Sequence, residues 1–244
     1  MGQEGFDWVT GIIETRDGNY TLAGYKREKD SSHVDAWVTQ LNRYGEVMWE
    51  LSYGGAGSDE IKALIQTRDG GFALCGFTDS KGNGKGDVWL LRLNAVGDLM
   101  WEKVYGGKYD EKGLALVEGA DDSFLVSGYG IYPESSSDMV ILKIDRNGKG
   151  IWRKIIREKG VGVAECLTPL SNGNIIVAGR NYNPNNESLD GLLLSLSPSG
   201  SILWKKNFGG KELESFVDIQ PVSGGFVLVG QRERRESRRD LWLM

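Results

Sequence analysis

Apolar and polar positions along this chain alternate in short runs and never recur every third or fourth residue over a helical length. Between positions 59 and 105 four such runs appear, at 61–65, 72–77, 87–93 and 99–105. Runs of this size, rich in branched and aromatic residues and bounded by turn residues, predict strands, named A to D here. Arg68-Asp69-Gly70-Gly71 joins A to B, and Asn94-Ala95-Val96-Gly97 joins C to D. Both are the short Gly-bearing links that close antiparallel hairpins. A longer polar loop, 78–86, separates B from C. With no sustained helical period, an α-helical solenoid is excluded.

The same pattern recurs along the whole chain. Thr15-Arg16-Asp17-Gly18 falls on Thr67-Arg68-Asp69-Gly70, Asp35-Ala36-Trp37 on Asp87-Val88-Trp89, and Trp49-Glu50 on Trp101-Glu102, a period of 52 residues. Further units start at Tyr105 and Ile156 with single-residue slips, and a fifth at Phe208-Gly209-Gly210. Four antiparallel strands about every 50 residues is the spacing of propeller blades. A small sheet cannot bury both faces alone, so neighbouring sheets must pack face to face. An open β-solenoid would call for a shorter repeat.

The prediction is an all-β, five-bladed β-propeller of four-stranded antiparallel blades, forming a single domain over 1–244. The blades span about 1–52, 53–104, 105–155, 156–207 and 208–244. The last unit stops in strand C at Asp240-Leu241-Trp242-Leu243-Met244, so its outer strand is expected to be lacking. No spare strand is available to complete it: faces alone close the array, or the chain is a piece of a longer one. Either way, 240–244 is expected to be an unprotected edge open to self-association.

Tyr105-Gly106-Gly107, Asp59-Glu60, Asp69-Gly70-Gly71-Phe72 and Asp87-Val88-Trp89-Leu90-Leu91-Arg92-Leu93 resemble the tandem "beta-propeller repeat" of bacterial and archaeal proteins. The Gly-rich B strand and strand order are also similar to Kelch and quinoprotein-type blades. The resemblance covers nearly the whole chain and implies the fold. It implies no activity, because the motif residues are turn and core residues. Family members are often exported, whereas Met1-Gly2-Gln3-Glu4-Gly5 has neither the basic nor the apolar part of a secretory signal, which leaves the compartment open.

Composition narrows the chemistry. Thirty-five glycines against five prolines fit many tight turns. A net charge of −5 argues against nucleic-acid or anionic-membrane partners. One histidine, His33, excludes multi-histidine metal sites and disfavours histidine-based triads. The two cysteines, Cys75 and Cys166, fall on different strands of different units and are expected as free buried thiols. No apolar run approaches the roughly 20 residues of a membrane span. No cofactor is expected.

Candidate ligand-binding residues fall into three groups. Asp7, Asp59 and Asp110 stand near the start of strand A, with Glu60 and Glu111 beside two of them. At the mouth of a central channel, carboxylates of this kind could hold a hard cation such as Ca²⁺. Recurrence favours the plainer role of accepting backbone N–H bonds in their own tight loops, so no metal site is assigned. Trp49, Trp101, Trp152 and Trp204 share a column in strand D, and Trp37, Trp89 and Trp242 one in strand C. Such fixed spacing fits packing between blades better than a sugar-stacking platform. Trp8 lies outside both columns and is expected near the channel mouth.

The third group lies in the B–C loops, 26–34, 78–86, 130–137, 180–189 and 231–239, which vary while the scaffold repeats. Connections of that kind usually carry specificity. The last crowds Arg232, Arg234, Arg235, Arg238 and Arg239 around Glu233 and Glu236. Clustered guanidinium groups suit anions, although pairing within the loop is the simpler reading. Asp218 interrupts the column of Ile12, Leu64, Leu116 and Leu167, which a local register shift would explain.

These features point to a non-catalytic binding or scaffolding protein presenting its B–C loops to a ligand or protein partner. Two alternatives stay open: a lectin-like carbohydrate binder, and a carboxylate-dependent glycosidase or lyase working in the channel. The lectin needs exposed aromatic columns; the enzyme needs two facing acids in a deep cleft.

Overall fold

In a computed structural model the chain is all β, with nineteen strands and no helix among the described residues, 6–133, 135–157, 160–222, 225–233 and 239–243. It divides into two compact units, Met1–Leu116 and Val117–Met244.

The first unit contains two complete sheets. Blade 1 has β1 (Phe6–Glu14), β2 (Tyr20–Arg27), β3 (Asp35–Leu41) and β4 (Val47–Tyr53), in that order. Blade 2 has β5 (Asp59–Gln66), β6 (Phe72–Thr78), β7 (Asp87–Leu93) and β8 (Leu99–Tyr105). The division falls within β9 (Asp110–Glu118), the edge of a four-stranded sheet completed by β10 (Phe124–Ile131), β11 (Asp138–Ile144) and β12 (Gly150–Ile156). The second unit continues with β13 (Gly162–Pro169), β14 (Ile175–Asn183), β15 (Ser188–Leu196) and β16 (Ile202–Phe208). Its last sheet is three-stranded, β17 (Leu213–Val222), β18 (Gly225–Glu233) and β19 (Arg239–Leu243).

These are the expected meanders of four, four, four, four and three antiparallel strands, each strand beside its chain neighbour. The hairpin turns have the local chemistry the sequence implied. Thr67 N–H donates to Gly71 O and Gly70 N–H to Thr67 O, with Gly70 at φ +90°, a conformation that a side chain resists. In blade 3, Asp122 takes the left-handed place at φ +57°, as Asp tolerates better than most residues. Strand C braces the A–B turn from outside. Arg92, 4% exposed, reaches Asp69 at 2.5 Å and donates to Phe72 O at 3.0 Å, while Lys143 reaches Asp121 at 2.8 Å.

Strands A are bent. β1, β5, β13 and β17 each carry a bulge, at Val9/Gly11, Ile61/Ala63, Ala164/Cys166 and Phe216/Asp218. The extra residue resolves the anomaly at Asp218. Asp218 pairs with Val229 as Ala63 pairs with Cys75, and Ile219, buried, fills the place of Leu64. No carboxylate therefore enters the leucine column.

In each unit the core lies between successive sheets. Ala23, Ala36 and Val38 of blade 1 pack against Ile61, Leu64, Phe72 and Trp89 of blade 2. In the second unit Ala178 and Leu193 pack against Phe216, Ile219 and Leu228. Cys75 and Cys166 are free and buried, and burial pushes the Cys166 thiol up to about 12.

Candidate functional site

The D–A junctions and B–C loops share one end of each unit, as the repeat implied. In the first unit Asp59 N–H donates to Val34 O at 2.8 Å, Asp79 N–H to Ser58 O at 2.9 Å, and Glu111 N–H to Gly86 O at 2.8 Å. In the second, Gly162 N–H donates to Ser137 O at 2.8 Å. Loop and junction are therefore laced together by main-chain bonds.

At this end of the first unit Asp59 is fully buried. Its carboxylate accepts from Thr78 Oγ1, from Ser80 Oγ at 2.5 Å and from Gly55 N–H at 3.0 Å. Those donors come from the B strand, the B–C loop and the D–A junction, so one carboxylate ties three segments of the repeat. Glu214 plays the same part in blade 5, accepting from Gly210 N–H at 3.4 Å. Its carboxyl is raised above the usual range by burial, against the pull of Gly210 N–H and Arg232.

The acid column differs from the one read off the sequence. Val34 and Gly86 each precede the first residue of a strand C, and they take the N–H groups of Asp59 and Glu111. Glu111, not Asp110, is therefore the counterpart of Asp59, and it too is buried. Asp110 stands one position earlier and half-exposed, where its Oδ1 lies beside Gly86. Main-chain bonding decides the register here, and two adjacent acids left it open in the sequence. Asp7, opposite Lys26 as Asp59 is opposite Thr78, is the matching residue of blade 1 but is exposed.

A second carboxylate column escaped notice as a candidate. Asp35, Asp87, Asp138, Asp190 and Asp240 each stand two residues before the strand-C residue that faces a B-strand glycine. Each of three lies against the first glycine of the following Gly-Gly pair. A Cβ at Gly54 would fall 2.2 Å from Asp35 Oδ1, at Gly106 1.8 Å from Asp87 Oδ1, and at Gly209 2.6 Å from Asp190 Oδ1. That Gly54 position also lies 2.9 Å from Asp59 Oδ2, and that Gly209 position 2.9 Å from Glu214 Oε2. The glycine is thus the gap that lets a strand-C acid and a strand-A acid meet. Partial burial, and then the charge of Asp59, hold the Asp35 carboxyl above its ordinary range. The Asp recurring near the start of each C strand was the available signal.

Asp79 stands in the B–C loop of blade 2 at this end. Burial of its carboxyl and the charges of Asp110 and Asp59 raise it, against the attraction of Lys112. Lys112 Nζ sits 3.8 Å above the Phe77 ring. Among the described residues no three of His, Cys, Asp and Glu are placed to hold a metal ion.

Trp8 is 58% exposed and stacks on Tyr25 at 6.4 Å, and Lys62 Nζ lies over the Tyr25 ring at 5.2 Å from its centroid. Column tryptophans pack into the cores: Trp89 is fully buried, Trp49 meets Phe72 of the next blade edge-on at 6.0 Å, and Trp242 stacks on Phe216 of its own blade at 5.0 Å while lying against Gly191 of the blade before. Trp204 is the more open member, at 37% exposure. Arg232 is paired with Glu212 at 2.5 Å and Glu214 at 3.3 Å. Arg239 begins β19; Arg235 and Arg238, with Arg234, lie outside the described residues.

Open clefts occur at the opposite, hairpin-turn end of the second unit. One of about 450 Å³ is lined by Pro169, Leu170, Asn172, Pro221, Val222 and Phe226, from the A–B turns of its last two blades. A smaller one of about 160 Å³ lies among Gly119, Asp121, Lys143, Leu170 and Pro198.

No protein-family model matches the chain. It is 26% identical over 260 residues to the "Regulatory protein FlaEY" of Caulobacter vibrioides; the match covers 93% of this chain and 26% of that protein's length. The chain thus spans about a quarter of this curated relative. Among solved structures it is similar to the WD40 domain of Neurospora crassa Pan2, at 13% identity and a TM-score of 0.61, covering 96% of this chain and 60% of that one. It is also similar to a Bacteroides caccae protein of unknown function, at 14% identity and 0.59, covering 94% and 72%. The fold is of the β-propeller class. At such identities the likeness speaks for fold alone.

Proposed function

We propose that this chain is a non-catalytic binding or scaffolding propeller that presents its B–C loops to a protein or small-molecule partner. The observation that carries it is how the repeated acids are used. Asp59 spends its lone pairs on Thr78, Ser80 and Gly55, and the strand-C acids pack against glycine, so both columns build the blade. What is left to differ between blades is the loop set, held on a rigid frame. The propeller fold and the similarity to a regulatory protein of Caulobacter support a binding role. The tryptophan columns, with Trp89 fully buried and Trp49 and Trp242 packed on Phe72 and Phe216, give no support to a lectin.

The finer resemblance to the tandem beta-propeller repeat, and the organisation of 1–244 as a single domain, belong to the same reading. A single cooperative unfolding transition by calorimetry would support the single domain; two separable transitions would refute it.

The binding reading is tested by replacing residues 80–86 with a short Gly-Ser linker and, separately, by substituting Leu170 and Phe226 with Ser. Partners are then identified by proximity labelling in the native host. Loss of a specific partner with the loop variant alone supports the reading. A partner lost only with the Leu170 and Phe226 changes would place the binding face at the hairpin-turn end instead.

A further inference from the structure

Three asparagines of this chain directly precede a glycine: Asn83, Asn147 and Asn172. Such a pair is chemically labile, because glycine has no side chain to keep its main-chain nitrogen from the amide carbon of the asparagine before it. Two of the three stand in hairpin turns that hold this nitrogen. Gly148 N–H donates to Asp145 O at 3.0 Å and Gly173 N–H to Leu170 O at 2.9 Å, with the glycines at φ +83° and +81°. Asn172 Oδ1 also accepts from Asn174 N–H at 3.0 Å, which pins its side-chain amide.

Asn83-Gly84 differs on each count. It lies exposed in the B–C loop of blade 2, between Lys85 and Gly82, the latter at φ +100°. Asn83 donates its main-chain N–H to Asp87 Oδ2 at 2.9 Å. Among the described residues, neither its side-chain amide nor Gly84 N–H is held by a hydrogen bond. The surroundings are nevertheless close-fitting. A Cβ at Gly84 would fall 2.5 Å from Gly107 O and 3.0 Å from Tyr109 O, so the main chain here rests on the D–A junction. Asp87 is 1% exposed, and its Oδ1 is buried without a hydrogen-bond donor. A further negative charge at position 83 would therefore arise beside a carboxylate that is already poorly compensated.

We propose that Asn83 is a site of spontaneous modification, at which the blade-2 loop converts to an aspartyl or isoaspartyl form and comes away from the junction. The Gly84 main-chain nitrogen gives its proton to solvent and attacks Asn83 Cγ. The new N–Cγ bond replaces the Cγ–Nδ2 bond, and the departing nitrogen takes a proton from water and leaves as ammonia. Water then opens the five-membered imide at either carbonyl. One opening leaves aspartate; the other leaves isoaspartate, whose extra methylene lies in the main chain. Either product sets a carboxylate near Asp87, and like charges repel. The longer isoaspartyl chain also cannot keep both the Asp87 bond and the Gly84 seat on the junction. None of this requires the loop to be a binding face.

The test ages the whole chain in warm neutral buffer and maps its chymotryptic peptides by mass spectrometry. The peptide Thr78–Trp89 is expected to become one dalton heavier. It should do so roughly five to ten times faster than the peptides holding Asn147 and Asn172, the factor set by the one hydrogen bond that must first break in those turns. In denaturant the three rates should converge. N83Q, whose longer side chain closes an imide ring far more slowly, should keep both its mass and its melting temperature. Trypsin should cut after Lys85 several times faster in aged than in fresh wild type, and no faster in aged N83Q. A native Asn83 that keeps its mass while the denatured chain reacts overturns the proposal, as does native Asn147 or Asn172 reacting as fast as Asn83. Rates that stay apart in denaturant would assign the difference to neighbouring sequence and overturn the structural argument. Modification with unaltered tryptic cleavage would refute release of the loop.

Discussion

Gly106→Ala is the sharpest probe of the junction chemistry. Gly106 is not among the positive-φ glycines, so alanine fits its backbone, and only space opposes the change. The added Cβ would lie 1.8 Å from Asp87 Oδ1, 2.6 Å from its Cγ and 2.9 Å from its Cβ. Asp87 is 1% exposed and cannot retreat: Oδ2 accepts from Asn83 N–H at 2.9 Å, and Gly82 lies against that oxygen on the other side. Forcing a methyl group into such a site costs about 1–3 kcal/mol, partly offset by about 0.4–1 kcal/mol from the restricted unfolded chain. For a chain of this size each kcal/mol lowers Tm by about 2–4 °C, so a net cost near the middle of that range, about 1–2 kcal/mol, lowers Tm by roughly 2–8 °C in differential scanning calorimetry. Gly107→Ala is the control, because nothing lies within 4 Å of its added Cβ. It should be neutral or slightly stabilising. Asp87→Ala should relieve the clash, making the double variant with Gly106→Ala markedly less destabilised than the sum of the singles. Equal melting temperatures for the Gly106 and Gly107 variants would refute the claim that the strand-C acid dictates glycine at this position.

Asp59→Ala strips three donors of their acceptor in a buried setting and is expected to cost about 3 kcal/mol or more in chemical denaturation; an unchanged midpoint would contradict its structural role. Asp121 is held down to about 2, first by its bond with Lys143 and then by Ser123. A carboxyl depressed on folding stabilises above its unfolded value and loses that contribution as pH falls through the folded one, so Asp121→Asn should flatten the decline in Tm between about pH 4 and 2. An unaltered acid limb would show that the pair is idle. Cys75 and Cys166, buried and with raised thiol pKa values, should ignore Ellman's reagent in the native protein and react fully once it is unfolded; rapid native labelling would point to local opening of β6 or β13.

Much of the fold was legible because its signals are local. Asp-Gly turns, alternating runs and repeating Trp and Gly columns each act over a few residues, and five repetitions made them readable in the sequence alone. Less local features were not. Whether Asp110 or Glu111 belongs with Asp59 turns on which N–H reaches Gly86 O, a bond across some 25 residues of chain. Asp218 looked like a charge in a core column until the bulge at Phe216/Asp218 moved Ile219 into its place.

By itself, then, the sequence determined the strand pattern, the repeat and the all-β class, because hydrophobic period and turn chemistry are properties of neighbouring residues. Only the tertiary structure decided that the first glycine of each Gly-Gly pair leaves room for the aspartate of the preceding strand C, and that Ile219 rather than Asp218 fills the leucine column. Both depend on which faces meet, and that is set by packing across distances the local pattern does not encode.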